Sequence, residues 1–362
     1  MKEVDRKVNL FFQMLNLKNM KKLFLFFVAA FIGIAGVKAQ GCASPKSAEG
    51  VNVFGFLQTQ YDYNMYDKPE SNFGFNRARI GAMGNVPYDF SYYVLLETSP
   101  FKKDGPKAYL LDAFITYNRF SFATASVGSF KVPFGLELTT PCNALHTINR
   151  SKVVNELTSP DRDMGIMLLG GNDTTLIKYS VALTNGSGLL VKDPDTFKDV
   201  IGRVVIQPLK WLSVGGSFKT GKSENTDPTL GNNTYKRYGG ELELNIARFL
   251  VQSEFIVGED NGSYTVGGGC GGDPQLVQGS IKRGGMFVMA LYNTPWNLQP
   301  VIKYENYNSD LDKDNNLEQI TTFGVNYFFN DWIRLQLNYE YAAEQAQEIK
   351  NDRFMAQLQV KF

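Results

Sequence analysis

The chain has 362 residues, with 37 basic and 36 acidic side chains and a formal net charge of +1. Residues 1–39 hold seven of the basic and two of the acidic residues, so the remainder carries 30 against 34, a net charge of −4. That balance excludes a nucleic-acid partner. Cys42, Cys142 and Cys270 are too few and too scattered for a disulfide framework or a metal site, although one Cys142–Cys270 bridge between loops stays open.

Met20-Lys21-Lys22 opens an apolar run from Leu23 to Val37, closed by Val37-Lys38-Ala39. A charged start, an apolar stretch and a small-residue end make a secretory signal. Residues 1–39 are therefore expected to be a signal peptide, with 20–39 the true signal and 1–19 an upstream extension or a misplaced start. Residues 40–50 form a short periplasmic segment. Ala39-Gln40-Gly41 before Cys42 is a poor lipidation site. No apolar run long enough for a membrane helix follows Ala39.

From Val51 to Phe362 the chain alternates. In 51–65, Val51, Val53, Leu57, Tyr61 and Tyr63 oppose Gln58, Gln60, Asp62 and Asn64; in 73–86, Ala78, Ile80 and Ala82 oppose Arg77 and Arg79. Successive side chains of a strand point to opposite faces, so each segment has one apolar and one polar face. Further segments fall near 89–98, 107–118, 121–132, 163–171, 174–184, 199–207, 211–221, 234–246, 248–258, 284–293, 297–307, 317–329, 331–343 and 352–362. These make sixteen strands. In the last, Phe354, Ala356, Leu358, Val360 and Phe362 oppose Arg353, Met355, Gln357, Gln359 and Lys361.

The connections alternate too. Seven short turns, such as Pro87-Tyr88 and Asn330-Asp331, interleave with eight long polar loops near 66–72, 99–106, 133–162, 185–198, 222–233, 259–283, 308–316 and 344–351. An even strand count, tight turns on one side and long loops on the other describe an outer-membrane β-barrel. The fold class expected is all-β, a transmembrane antiparallel barrel spanning 51–362. Aromatics near the short turns (Tyr92, Tyr93, Phe120, Phe122, Trp296, Phe328, Phe329, Trp332) are expected to form its periplasmic girdle. The terminal Phe362 resembles the signal read by outer-membrane assembly machinery.

The longest connection, Pro133 to Arg162, is read as structureless but rich in apolar residues, including Phe134, Leu138, Ile148 and Val154. Such a segment can fold back into the lumen and narrow it, or pack on its neighbours as a surface loop.

The stretch Val127-Gly128-Ser129-Phe130-Lys131-Val132-Pro133-Phe134-Gly135 resembles the strand end of the phosphate-selective porin O and P family. Ile148-Asn149-Arg150-Ser151, Val154-Asn155-Glu156 and Arg162-Asp163-Met164-Gly165 match the motifs that follow it there. Arg77-Ala78-Arg79 and the terminal Leu358–Phe362 also fit. The resemblance implies a homotrimeric porin in the cell outer membrane with its third loop in the pore. It also implies a preference for small anionic solutes, phosphate among them, and no cofactor. The residues expected at the constriction are Lys131, Arg150, Lys152, Arg162, Arg77 and Arg79. An inward Lys131 would leave Phe130 and Val132 facing lipid or a neighbouring subunit.

Two other readings use different residues. His146, the single histidine, would be the base of an outer-membrane hydrolase. The loops at 222–233 and 259–283 would serve an adhesin or receptor. The glycine run Gly267–Gly272 lacks the Lys-Ser/Thr of a phosphate-binding loop.

Overall fold

The computed structural model describes residues 50–99, 108–120, 122–223, 232–266, 275–345 and 349–362. The signal expected over 1–39, Cys42, Cys270 and the glycine run lie outside them, as does all but Gly50 of the 40–50 segment. Sixteen antiparallel strands form one closed sheet. They are β1 (Gly50–Asn64), β2 (Glu70–Val86), β3 (Phe90–Glu97), β4 (Tyr109–Tyr117), β5 (Thr124–Lys131), β6 (Arg162–Gly170), β7 (Ile177–Thr184), β8 (Asp199–Leu209), β9 (Leu212–Ser223), β10 (Asn233–Ile246), β11 (Phe249–Val266), β12 (Gln275–Tyr292), β13 (Leu298–Asn308), β14 (Leu317–Phe328), β15 (Ile333–Glu344) and β16 (Arg353–Lys361). Strands β1 and β16 close the sheet, pairing from Phe56↔Lys361 to Asn64↔Arg353. Beyond that ladder, Gly55 and Phe362 exchange backbone hydrogen bonds of 2.9 and 3.0 Å. Closure leaves no sheet edge unpaired, which is the condition for crossing lipid.

The side chains are arranged inside out. Ile115, Val127, Ile166, Val204, Phe255 and Ile302 are 46–58% exposed on the outer face, whereas Gln58, Asn326, Gln336 and Gln357 inside are fully buried. In water such an outer face would be costly, at roughly 25 cal/mol per Å² of apolar surface; in a bilayer it is the favourable one. Phe120, Phe122, Trp296, Phe329 and Trp332 stand exposed beside the short turns as expected. Tyr93 does not join them. It shares parity with Glu97 and faces inward, its ring against Phe54 and Phe114.

The loop expected over 259–283 is mostly strand, since β11 and β12 stay paired out to Val266↔Gln275. Past the membrane both faces of a hairpin meet water, so Glu259, Asp260, Asn261, Gly262 and Ser263 carry no alternation to read.

The third connection, 132–161, is not structureless. It holds α1 (Leu136–Thr139), a 3-10 turn (Cys142–Ala144) and α2 (Lys152–Thr158). Val132, Phe134, Val153 and Val154 are fully buried, clustered with Ile256 and Phe287 of the lumen wall. Phe130 joins the same cluster, so neither it nor Val132 faces lipid or a neighbour. The wall is apolar on β12 because it packs this loop.

Candidate functional site

Hydrogen bonds from β1 and from β9 round to β16 hold the third loop across the lumen. At its start, the Leu136 and Glu137 N–H groups donate to Glu254 Oε2 at 3.1 and 2.9 Å. A Cβ on Gly135 (φ 65°) would lie 1.8 Å from the other oxygen of that carboxylate, so only glycine fits there. In the middle, Gln58 and Gln359 donate to the carbonyls of Cys142 and Asn143, and the Ile148 N–H donates to Asn338 at 2.7 Å. Near its end, Arg237 and Lys219 donate to the carbonyls of Leu157 and Thr158. On this side Lys303 pairs with Glu305 at 2.9 Å and Glu137 at 3.7 Å, whereas Arg334 donates to the Gln359 amide oxygen at 3.0 Å; Arg203 of β8 pairs with Glu241 at the edge of the open side.

The other side of the lumen stays open. A cavity of about 960 Å³ lies between the loop and strands β1 to β8, with Arg79, Lys131, Cys142 and Arg162 on its wall. Around the Cys142 thiol the chain collects four cations, two from β2, one from β5 and one from the third loop itself. Arg79 Nη1 lies 3.2 Å from its sulfur, and Arg150 lies 3.5 Å away. Lys131 and Arg77 add their fields to those two. Burial alone would raise this thiol; the four cations outweigh it and hold the thiol well below its usual range.

Each cation is positioned differently. Arg79 is fixed by Glu97 at 2.7 Å, and Arg162 by Asp112 at 3.0 Å and Asp161 at 2.8 Å. Arg77 donates to the Gln58 amide oxygen at 2.9 Å. Arg150 donates to the carbonyls of Glu137 and Thr140, at 3.0 and 2.8 Å. Among the described residues, Arg77, Lys131 and Arg150 have no carboxylate within ion-pair distance. Of these three, Lys131 lines the cavity, and the Cys142 sulfur is the acidic group they surround.

Five of the six expected constriction residues meet here: Lys131, Arg150, Arg162, Arg77 and Arg79. Lys152 does not. At the first turn of α2 it turns toward the packed wall, pairing with Glu318 of β14 and lying over the Tyr307 ring of β13. Sequence reasoning missed the aromatic residues below the cluster, Phe54, Tyr93 and Phe114, which line the same cavity. Parity alone would have found them, because each shares a face with an inward polar residue: Gln58, Glu97 or Asp112.

His146 is half-buried, its Nδ1 3.2 Å from the amide oxygen of Gln299. No nucleophile or acid is hydrogen-bonded to its ring among the described residues. No group of three His, Cys, Asp or Glu side chains among the described residues is placed to hold a metal ion.

Comparison with known proteins agrees with this geometry. Residues 53–192 match the family model described as phosphate-selective porin O and P. The chain has the closed-barrel fold of outer-membrane porins. The match covers β1 to β7 and the whole third loop. An anion-selective porin from Comamonas acidovorans has the same fold, with a TM-score of 0.65 at 13% identity over 86% of this chain and 99% of that one. An outer membrane protein of Vibrio cholerae, OmpT in a trimer form, gives 0.62 at 14% identity over 86% and 99%. The outer membrane channel DcaP of Acinetobacter baumannii gives 0.60 at 14% identity over 91% and 100%. No curated relative matches.

Proposed function

We propose that this porin passes small solutes by passive diffusion and prefers anions, with Arg77, Arg79, Lys131, Arg150 and Arg162 setting the preference. The observation that carries this reading is the gathering of these five side chains around Cys142 and the open side of the lumen, where Arg79, Lys131 and Arg162 line the cavity. A charge in a narrow, partly dehydrated passage is less screened than one on a surface, so it favours entry of the opposite sign. Phosphate is one anion such a cluster would attract.

The test is the reversal potential of single channels under a KCl gradient. Chloride-favouring permeability that falls when Lys131 becomes Glu supports the reading. Cation preference in the unaltered protein would overturn it. A homotrimer assembled through the exposed apolar outer face, and delivery by the assembly machinery through Phe362, belong to the same reading; cross-linking of the heat-sensitive species tests the trimer.

A further inference from the structure

The cation cluster has an apolar neighbour that an inorganic anion does not need. Phe54 of β1, Tyr93 of β3 and Phe114 of β4 form a continuous row along the lumen wall. Ring centroids are 5.1 Å apart in both steps, and Tyr93 and Phe114 are nearly parallel, with an interplanar angle of 15°. On β2, between Phe54 and Tyr93, stands Gly81, where a Cβ would come within 2.5 Å of the Phe54 ring. The row therefore depends on a glycine in its gap.

Its position relative to the charges is set by the strand registers. Phe54 lies two residues from Phe56, which pairs with Arg79 and carries that guanidinium 5.6 Å over its ring. Phe114 lies two residues from Asp112, the partner of Arg162. Two residues along a strand span about 7 Å, so the row runs one such step from the cluster, on the side of the short turns. Met83, Leu95 and Met167 continue the apolar surface in the same cavity. A cavity that is mainly apolar with a few convergent charges is the usual design for an organic ligand.

We propose that the preferred solute is an organic anion with a flat apolar body, such as a one-ring carboxylate, and that it rests its ring on Phe54, Tyr93 and Phe114 with its carboxylate on Arg79, Lys131 and Arg162. Offset stacking and release of water from the rings favour such a body. A fully hydrated phosphate gains nothing from that wall and loses water beside it. This inference rests on the anion preference proposed above and adds the apolar half of the site.

The test uses single channels in planar bilayers, with benzoate, acetate or orthophosphate added at equal concentration on the short-turn side. Benzoate should interrupt the current with dwell times several-fold longer than acetate or orthophosphate. Phe114→Leu keeps bulk but removes the ring, and Tyr93→Leu does the same on the neighbouring strand. Either should shorten benzoate dwell several-fold while leaving the chloride/potassium reversal potential unchanged. Equal dwell times for benzoate and acetate would overturn the inference, as would a longest dwell for orthophosphate or a leucine variant that blocks like the parent. In each of those cases an anion-favouring reversal potential leaves the broader reading standing. A cation-favouring potential in the parent protein removes both.

Discussion

The two sides of the lumen are built from the same alternating strands and do different work. Toward β9–β16 the wall meets the third loop and holds it: Glu254 accepts from two loop amides, Lys303 pairs with Glu305 and Glu137, and Phe287 and Ile256 join the apolar cluster. Toward β1–β8 the wall meets the passage, and there Lys131 and Arg77 gather with Arg150 of the loop around Cys142, with no carboxylate within ion-pair distance of these three among the described residues. Lumen charge by itself is thus a poor guide to selectivity. What matters is whether the opposite charge lies within reach, because a matched pair projects little field beyond itself.

The most direct way to break this comparison is to reverse charge on each side in turn. At about 7 Å and an effective dielectric of about 20, one unit charge changes the energy of a passing ion by about 2 kcal/mol. Lys131→Glu combined with Arg77→Gln should therefore lower the chloride/potassium permeability ratio by roughly tenfold or more. Lys152→Glu, at a residue already paired with Glu318 of β14, should move it far less. Equal shifts at both places in reversal-potential measurements would mean that diffuse charge sets selectivity.

A second substitution removes the boundary between the two sides. Glu254→Ala leaves the Leu136 and Glu137 amides without their acceptor. Each buried donor left unsatisfied costs about 1–3 kcal/mol, so the start of the loop should come away from β11. Expected readouts are a larger and noisier conductance and new protease cleavage within 132–161. A quiet channel of parental conductance would show that the loop is held elsewhere.

Barrel closure is the common support of both sides and is tested at its seam. The Phe362 ring packs over Gly55, whose added Cβ would sit 2.7 Å from it, and the ring is half exposed on the outer face. Phe362→Asp places a charge at the lipid boundary and strips that packing. A near-interface charge on a barrel costs about 1 kcal/mol or less, so the assembled fraction should fall, read as loss of the heat-modifiable gel band, while channels that do assemble keep their selectivity. An unchanged assembled fraction would argue that Phe362 is not the signal taken up in assembly.

Much of this was legible in the residues, and the failures have physical reasons. All sixteen strands showed because lipid demands an apolar face, as Val51, Val53 and Leu57 supply. The outer halves of β11 and β12 did not, because water on both faces imposes no pattern. On the site, Arg77 and Arg79 followed from parity, and Lys131, Arg150 and Arg162 from the motifs of the third loop. Lys152 was expected with them, but its place at the first turn of α2 sends its side chain to β14, a direction no spacing in the loop reveals. Tyr93 was assigned to the outer girdle beside Tyr92. Two adjacent aromatics at a turn look alike in sequence, yet strand geometry puts one in lipid and one in the passage. The apolar run on β12, Phe287, Val288, Met289, Ala290 and Leu291, hid which face was inward because both faces are dry.

The smallest expected effect concerns pH and the middle of the loop. His146 is half-buried against Gln299, and its carbonyl accepts from Asn326 at 2.9 Å. Burial lowers its imidazole pKa, opposed in part by the Gln299 hydrogen bond and assisted by the nearby Arg334 charge. The folded protein therefore prefers the neutral ring. A group with a depressed folded pKa contributes stability that is complete above its ordinary value, about 6.5 for imidazole. That contribution is lost as pH falls through the lowered folded value. Acidification should thus loosen the loop where it leans on β13 and β14, the packed side of the lumen, while the cations on the open side stay charged. The expected result is more frequent flicker of single-channel current at acidic pH with little change in reversal potential. His146→Asn cannot gain the proton, and its channel should lose the pH-dependent part of that flicker. Flicker that persists unchanged in this variant would assign the acid response to the carboxylates that anchor the loop instead.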